Sequence, residues 1–119
     1  MSKHEDVVRV RPMLDHAREA IEMIRHRKRA DLEKDRTLEL SLVRLVEIVG
    51  EPAGRVSPAT CQRFPSVPWP RIVGMRNRLI HGYNKVDLAL LWDTVELELP
   101  ALVRELEIIL EEMARDPAT

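Results

Sequence analysis

Two guanidiniums, one imidazole and one phenol lie within the stretch Arg76-Asn77-Arg78-Leu79-Ile80-His81-Gly82-Tyr83, in a chain otherwise poor in catalytic groups. Arginine keeps its charge at any physiological pH and grips a phosphate with a planar fork of donors. Histidine is the side chain whose ordinary pKa suits proton transfer near neutrality. Together they are the minimum set for chemistry at a phosphodiester without a metal. Arg76 and His81 are therefore the candidate catalytic pair, and Asn77 and Arg78 the candidate phosphate- or RNA-binding residues. Spacing alone favours a plainer reading. On a straight helix, positions five apart are separated by about 140° of rotation, so Arg76 and His81 share no face. They converge only if His81 sits at the last turn beside Gly82 and the long arginine reaches back. Surface arginines followed by a histidine that favours the negative end of a helix would look the same.

The elements that must position this stretch read as helices. Aromatic residues are few (Phe64, Trp69, Tyr83, Trp92), while Leu, Ile, Val, Ala, Glu and Arg dominate, a composition that favours helix over sheet. After Pro12, acceptable at a helix start, Leu14, Ala17, Ile21 and Ile24 form one apolar stripe. The charged run 25–31 ends or exposes that helix. A second stripe of Leu38, Leu42, Leu45, Val49 and Val56 predicts a helix from about Asp35 to about Arg55, kinked or shortened by Pro52. Ser57-Pro58 is a cap followed by a first-turn proline, opening a short helix to about Arg63. Phe64-Pro65-Ser66-Val67-Pro68 must be extended or turning. The motif helix is predicted from Trp69 or Pro70 to His81, with Gly82 as its left-handed stop. Asp87 caps a helix carrying Leu88, Leu91, Trp92, Val95 and Leu99, and Pro100 opens a last one with Leu102, Leu106, Ile109, Leu110 and Met113. The expected architecture is all-α: an antiparallel bundle of about five helices forming a single domain over 1–119, with flexible ends at 1–11 and 114–119.

Bulk properties narrow the class. The 119 residues suffice for one core. Nineteen Lys and Arg stand against twenty Asp and Glu, so no overall field draws the chain to nucleic acid. A local patch, or one assembled by two subunits, is still open. One cysteine, Cys61, suits a reducing compartment. The N-terminus has no apolar leader and no run approaches the roughly 18 apolar residues of a membrane span, so a cytoplasmic protein is expected. Four histidines and Cys61 show no zinc spacing, and neither a metal nor a cofactor is expected. His16, His4, His26 and Cys61 read as structural or solvated groups, and Trp69 and Trp92 as core or interface anchors.

The Arg-x4-His-x-Tyr spacing, preceded by Pro68-Trp69 and followed by Val86-Asp87, resembles the signature of HepT-like toxins, small HEPN-fold ribonucleases paired with a nucleotidyltransferase antitoxin. The resemblance extends over most of the chain. Met13-Leu14-Asp15-His16-Ala17-Arg18-Glu19-Ala20-Ile21 is similar to their opening helix and Leu42 to Glu51 to their second. Leu99-Pro100 follows in the same order. Two positions depart from the pattern: Pro52 stands where the family usually has alanine, and Asn84 where an aromatic residue is common.

This resemblance implies a HEPN bundle and metal-independent cleavage of RNA. The RNA 2′-OH attacks the adjacent phosphorus, so an enzyme must take that proton, stabilise the phosphoryl charge and protonate the leaving 5′-oxygen. One His81 cannot serve both sides, whereas a two-fold homodimer supplies a second copy across one cleft. The resemblance further implies a cognate MNT-type nucleotidyltransferase antitoxin that transfers AMP to Tyr83. The alternative is a non-catalytic helical subunit that binds such a partner and uses the Arg–His cluster as an AMP or phosphate patch.

Overall fold

The computed structural model describes residues 3–81 and 85–116, and of His81 the backbone only. These residues form an all-α bundle with three long helices, α1 (Lys3–Met23), α3 (Arg36–Ala53) and α8 (Leu99–Arg115). Short helices connect them: α2 (Asp31–Lys34), α4 (Pro58–Arg63), α5 (Trp69–Val73), α6 (Met75–Leu79) and α7 (Leu88–Asp93). A π-helical turn, Thr94–Glu98, joins α7 to α8. The described body measures 50 × 30 × 20 Å.

Helix α1 lies between α3 and α8 and packs on both. Its start meets their ends. Asp6 binds Ser57, just past α3, and Lys3 Nζ donates to the carbonyl of Asp116, just past α8. Both neighbours therefore run antiparallel to α1. The core is continuous through Val10, Met13, Leu14, Ala17 and Ala20 of α1, Leu38, Leu42, Leu45, Val46 and Val49 of α3, and Leu99, Leu102, Leu106, Ile109 and Met113 of α8. These residues repeat at three- and four-residue spacing, which gives each helix one apolar face.

The first helix begins well before Pro12. Residues 3–11, expected as a flexible end, are helical, with Asp6 and Val10 buried. Pro12 lacks the N–H that would bond the carbonyl of Val8, and Val8 lies on the exposed side of α1, where water can take that place. At its other end the chain turns at His26, which holds a left-handed φ of 64° and so takes the position usually given to glycine after a helix.

The caps predicted at Ser57 and Asp87 hold, and Asp35, where the second long helix was expected to begin, caps α3. Asp35, Ser57 and Asp87 each accept a hydrogen bond from the backbone N–H three residues on, at Leu38, Thr60 and Leu90. Such a bond satisfies a donor that the first helical turn leaves without a partner. Pro52 shortens α3, which closes at Ala53. Pro100 explains the π-helical turn, because it has no N–H for the carbonyl of Glu96. The ladder instead widens by a residue, and Leu99 N–H donates to the carbonyl of Thr94. The helix predicted to end at Leu99 therefore runs through the turn into α8.

The motif segment differs from its prediction. Instead of one helix from Trp69 to His81, α5 and α6 are separated at Gly74 and α6 stops at Leu79. Ile80 is extended, and Ile80 and His81 pair antiparallel with Val86 and Lys85. The carbonyl of Leu79, at the helix end, accepts from Asp87 N–H at 2.8 Å. This two-residue hairpin is too short to leave an alternating pattern in the sequence.

Candidate active site

Helix α6 is anchored by Met75 and Leu79, both fully buried, one turn apart. Arg76 and Asn77 therefore face outward. Arg76 turns toward α3, where its Nε lies 2.6 Å from Glu47 Oε2. The other oxygen of Glu47 accepts from Arg44 Nη1. Asn77 borders the same shallow depression of about 220 Å³, together with Glu47, Gly50, Glu51, Val73 and Arg76. Glu51 is itself paired with Arg55, 3.2 Å away.

Arg78 is directed elsewhere. Its Nη1 donates to the carbonyl of Arg71 at 3.0 Å, and its Nη2 lies 3.6 Å from Glu98 Oε1. Glu98 also accepts from Arg71 Nε at 2.8 Å, and this hydrogen bond, followed by the charge of Glu98, raises the Arg71 pKa. The structure thus brings Arg76 and Asn77 to one depression and joins Arg78 to the α5–π-turn contact.

His81 follows in the extended strand, with its backbone paired to Lys85. The helical-wheel separation between positions 76 and 81 therefore does not apply, because the chain leaves the helix between them. Gly82, Tyr83, Asn84 and the imidazole of His81 lie outside the described residues.

The approach of α5 and α6 to α3 depends on Gly50. A Cβ at that position would stand 2.9 Å from the carbonyl oxygen of Ile72. Glycine lets the α5 backbone lie directly on α3, and one turn further on Arg76 reaches Glu47. The Arg76–Glu47 pair is largely solvated, with side-chain exposures of 44% and 32%. Exposed pairs of this kind contribute only about 0–1 kcal/mol to stability. The pair does not hold the fold together; it orients side chains on a surface.

Other polar groups prove structural. Asp6 is 1% exposed and accepts from Ser57 N–H at 2.9 Å and from the Ser57 and Thr60 hydroxyls at 2.6 Å each. His16 Nδ1 bonds the carbonyl of Pro12 at 2.7 Å. Cys61 is half-buried, and burial, followed by the charge of Asp6, pushes its thiol pKa up, away from thiolate chemistry. Trp69 and Trp92 are buried, with their indole N–H groups bonded to the Phe64 carbonyl and to Glu96. The basic run after α1 is neutralised: Arg25 pairs with Glu22, Arg27 with Asp31 and Asp35, and Arg29 with Asp93. Sequence reasoning did not single out Glu47. Its only local signal is the i, i+3 pairing with Arg44, a spacing common to any solvated helix face.

The all-α bundle carries an exposed Arg76 on α6 and, two residues beyond the end of that helix, His81 in a short strand. The chain belongs to the HepT-like family: residues 13–109 match the family described as "Ribonuclease HepT-like". It is 31% identical over 109 residues to "Putative RNase MJ1380" of Methanocaldococcus jannaschii, covering 92% of this chain and 100% of that protein. It is 33% identical over 105 residues to "Putative RNase TTE0752" of Caldanaerobacter subterraneus subsp. tengcongensis, covering 85% of this chain and 94% of that protein. Similarity to "Probable ribonuclease HepT" of Thermococcus cleftensis is 33% over 98 residues, 79% of this chain and 89% of the relative. No solved structure matches the chain significantly. Among the described residues, no helix is long and apolar enough to cross a membrane.

Proposed function

We propose that this protein is the toxin of a HEPN/MNT toxin–antitoxin pair, a cytoplasmic, metal-independent endoribonuclease that cleaves RNA by attack of its own 2′-OH. Arg76 and His81 are the catalytic residues. The observation that carries this reading is the outward-facing Arg76 on an anchored helix, with His81 two residues beyond that helix's end. Asn77 and Arg78 extend the phosphate-binding surface. The guanidinium stabilises the charge that develops on the phosphoryl oxygens, and the imidazole transfers protons.

The active unit is a homodimer. The depression beside Arg76 is open, and exposed apolar residues accompany it. Val73 borders it at 49% exposure, and Leu40, at 53%, lies further along the same α3 surface as Arg44 and Glu47. A second copy seated there brings a second His81 to one cleft. Control comes from an MNT-type nucleotidyltransferase that attaches AMP to Tyr83, placing a negative phosphate next to the motif's cations.

The ion-paired state of Arg44, Arg55 and Arg76 favours a second reading, in which a non-catalytic subunit binds the nucleotidyltransferase and an AMP or phosphate group. Incubation of purified protein with labelled RNA in EDTA separates the two. Cleavage by the wild type, reduced about 100-fold or more in Arg76→Ala and in His81→Ala, supports the ribonuclease. Absence of cleavage, or full activity in either variant, rejects the assignment. Light scattering tests the dimer. Mass spectrometry after co-expression with the nucleotidyltransferase tests Tyr83, and Tyr83→Phe is expected to escape inhibition while still cutting RNA.

A further inference from the structure

The ion pair between Glu47 and Arg76 is recorded at the side edge of the guanidinium. A guanidinium offers five N–H donors arranged along a side edge, which includes Nε, and an end edge formed by the two Nη groups. Glu47 Oε2 lies 2.6 Å from Nε. Among the described residues no hydrogen bond runs from either Nη of Arg76. The end edge matches two oxygens of a phosphate, and Arg76 lines the depression it shares with Asn77.

Glu47 is itself held. It sits on α3, a rigid long helix, and its second oxygen is taken by Arg44 one turn earlier. The two oxygens thus have separate tasks: one secures the carboxylate to its own helix, and the other fixes an arginine that arrives from α6. Three positions in the chain, 44, 47 and 76, meet at this point although only the last lies in the motif.

We propose that Glu47 is a positioning residue for the ribonuclease reaction. It holds Arg76 by Nε so that the Nη edge is presented to the scissile phosphate, and Arg44 keeps Glu47 in place. This inference rests on the assignment of Arg76 as the catalytic arginine. Glu47 touches neither RNA nor the reacting atoms; it acts through Arg76. A free arginine samples many rotamers, and a misplacement of about 1 Å in a catalytic group can lower a rate by about 100-fold.

The test combines kinetics on a labelled mixed-sequence single-stranded RNA with NMR of the arginine Nε–H groups. Glu47→Ala is expected to lower kcat by about 10- to 100-fold while KM stays within about threefold. Glu47→Gln retains an oxygen acceptor for Nε and is expected to recover most of the rate. In the Arg76→Ala background, Glu47→Ala should cause no further loss, because the two residues act as a unit. The Arg76 Nε–H resonance, assigned by its absence in Arg76→Ala, should exchange slowly with solvent in the wild type and in Glu47→Gln, and rapidly in Glu47→Ala. Wild-type kcat in Glu47→Ala, a lowered KM with unchanged kcat, or additive losses in the double variant overturns the positioning role while Arg76 keeps its assignment. Full activity of Arg76→Ala instead removes the catalytic reading, and the role of Glu47 falls with it.

Discussion

Asp6 offers a sharp test of how the bundle is held together. Its carboxylate is buried and receives three hydrogen bonds, from the Ser57 N–H and from the Ser57 and Thr60 hydroxyls. The contact spans 51 residues of sequence and ties the first turn of α1 to the start of α4. Truncation by Asp6→Ala removes bonds to a charged acceptor, each worth about 1.5–3 kcal/mol. It also removes the burial of that charge, which offsets part of the loss. The two hydroxyls, 3.3 Å apart, can turn toward each other. The Ser57 N–H has no such recourse, and an unsatisfied buried donor costs about 1–3 kcal/mol. The net expectation is a destabilisation of about 3 kcal/mol.

For a chain of 119 residues, total stability is roughly 6–18 kcal/mol, so this loss is measurable. In urea unfolding followed by fluorescence of the buried Trp69 and Trp92, an m-value of about 1.5 kcal/mol/M places the midpoint roughly 2 M lower. Asp6→Asn should lose only about 1 kcal/mol, because the amide oxygen can accept from Ser57 N–H while its NH₂ donates to the hydroxyl oxygens. Acid separates the two forms further. Burial raises the Asp6 pKa, but the hydrogen bonds from Ser57 and Thr60, with the charge of Arg9, outweigh it and leave the pKa below the ordinary 3.8. The stability this provides is complete above pH 3.8 and is lost as pH falls through the lower folded-state value. The advantage of wild type over Asp6→Asn should therefore shrink across that acid window. A shift of less than about 1 kcal/mol in Asp6→Ala, well below the hydrogen-bond sum, would refute the argument, as would an unchanged acid profile in Asp6→Asn.

Two further substitutions probe the backbone. Gly50→Ala places a methyl group 2.9 Å from the Ile72 carbonyl, so α5 must shift. A net loss of about 1–2 kcal/mol is expected after the gain in helix propensity is counted, together with lower RNA cleavage; unchanged thermal unfolding and activity would contradict the close approach. His26→Gly relieves a left-handed backbone at φ 64° and should stabilise the protein by about 0.5–1 kcal/mol after the greater freedom of glycine in the unfolded chain is counted. A lower melting temperature would speak against strain at that turn.

What was legible in the sequence follows the range of the interactions involved. The caps at Ser57 and Asp87 satisfy donors only three residues away, so residue type and order reveal them. The stripe Leu38–Leu42–Leu45–Val49 is equally local, because helical periodicity fixes which side chains share a face. The true start of α1 was hidden because Pro12 is a sound local start signal, whereas Asp6 is held by residues 51 and 54 positions away. Helix α2 was hidden because its four residues contain a single buried apolar side chain, Leu32. Its other three residues are charged.

The candidate site divides along the same line. Arg76, Asn77 and His81 could be chosen from their chemistry, since a phosphate-binding cation and a proton carrier are properties of residue type. Their arrangement could not be read in that way. Gly74 interrupts the helix, Ile80 leaves it, and the carbonyl at its end bonds Asp87 on the returning strand. Arg76 then takes its direction from Glu47, which the backbone contact between Gly50 and Ile72 brings within reach. The motif names the proposed reacting groups, but α3 supplies the surface on which Arg76 lies. Changes on that helix, at positions remote from residues 76–83 in sequence, should therefore alter the rate of the reaction even where they leave the bundle folded.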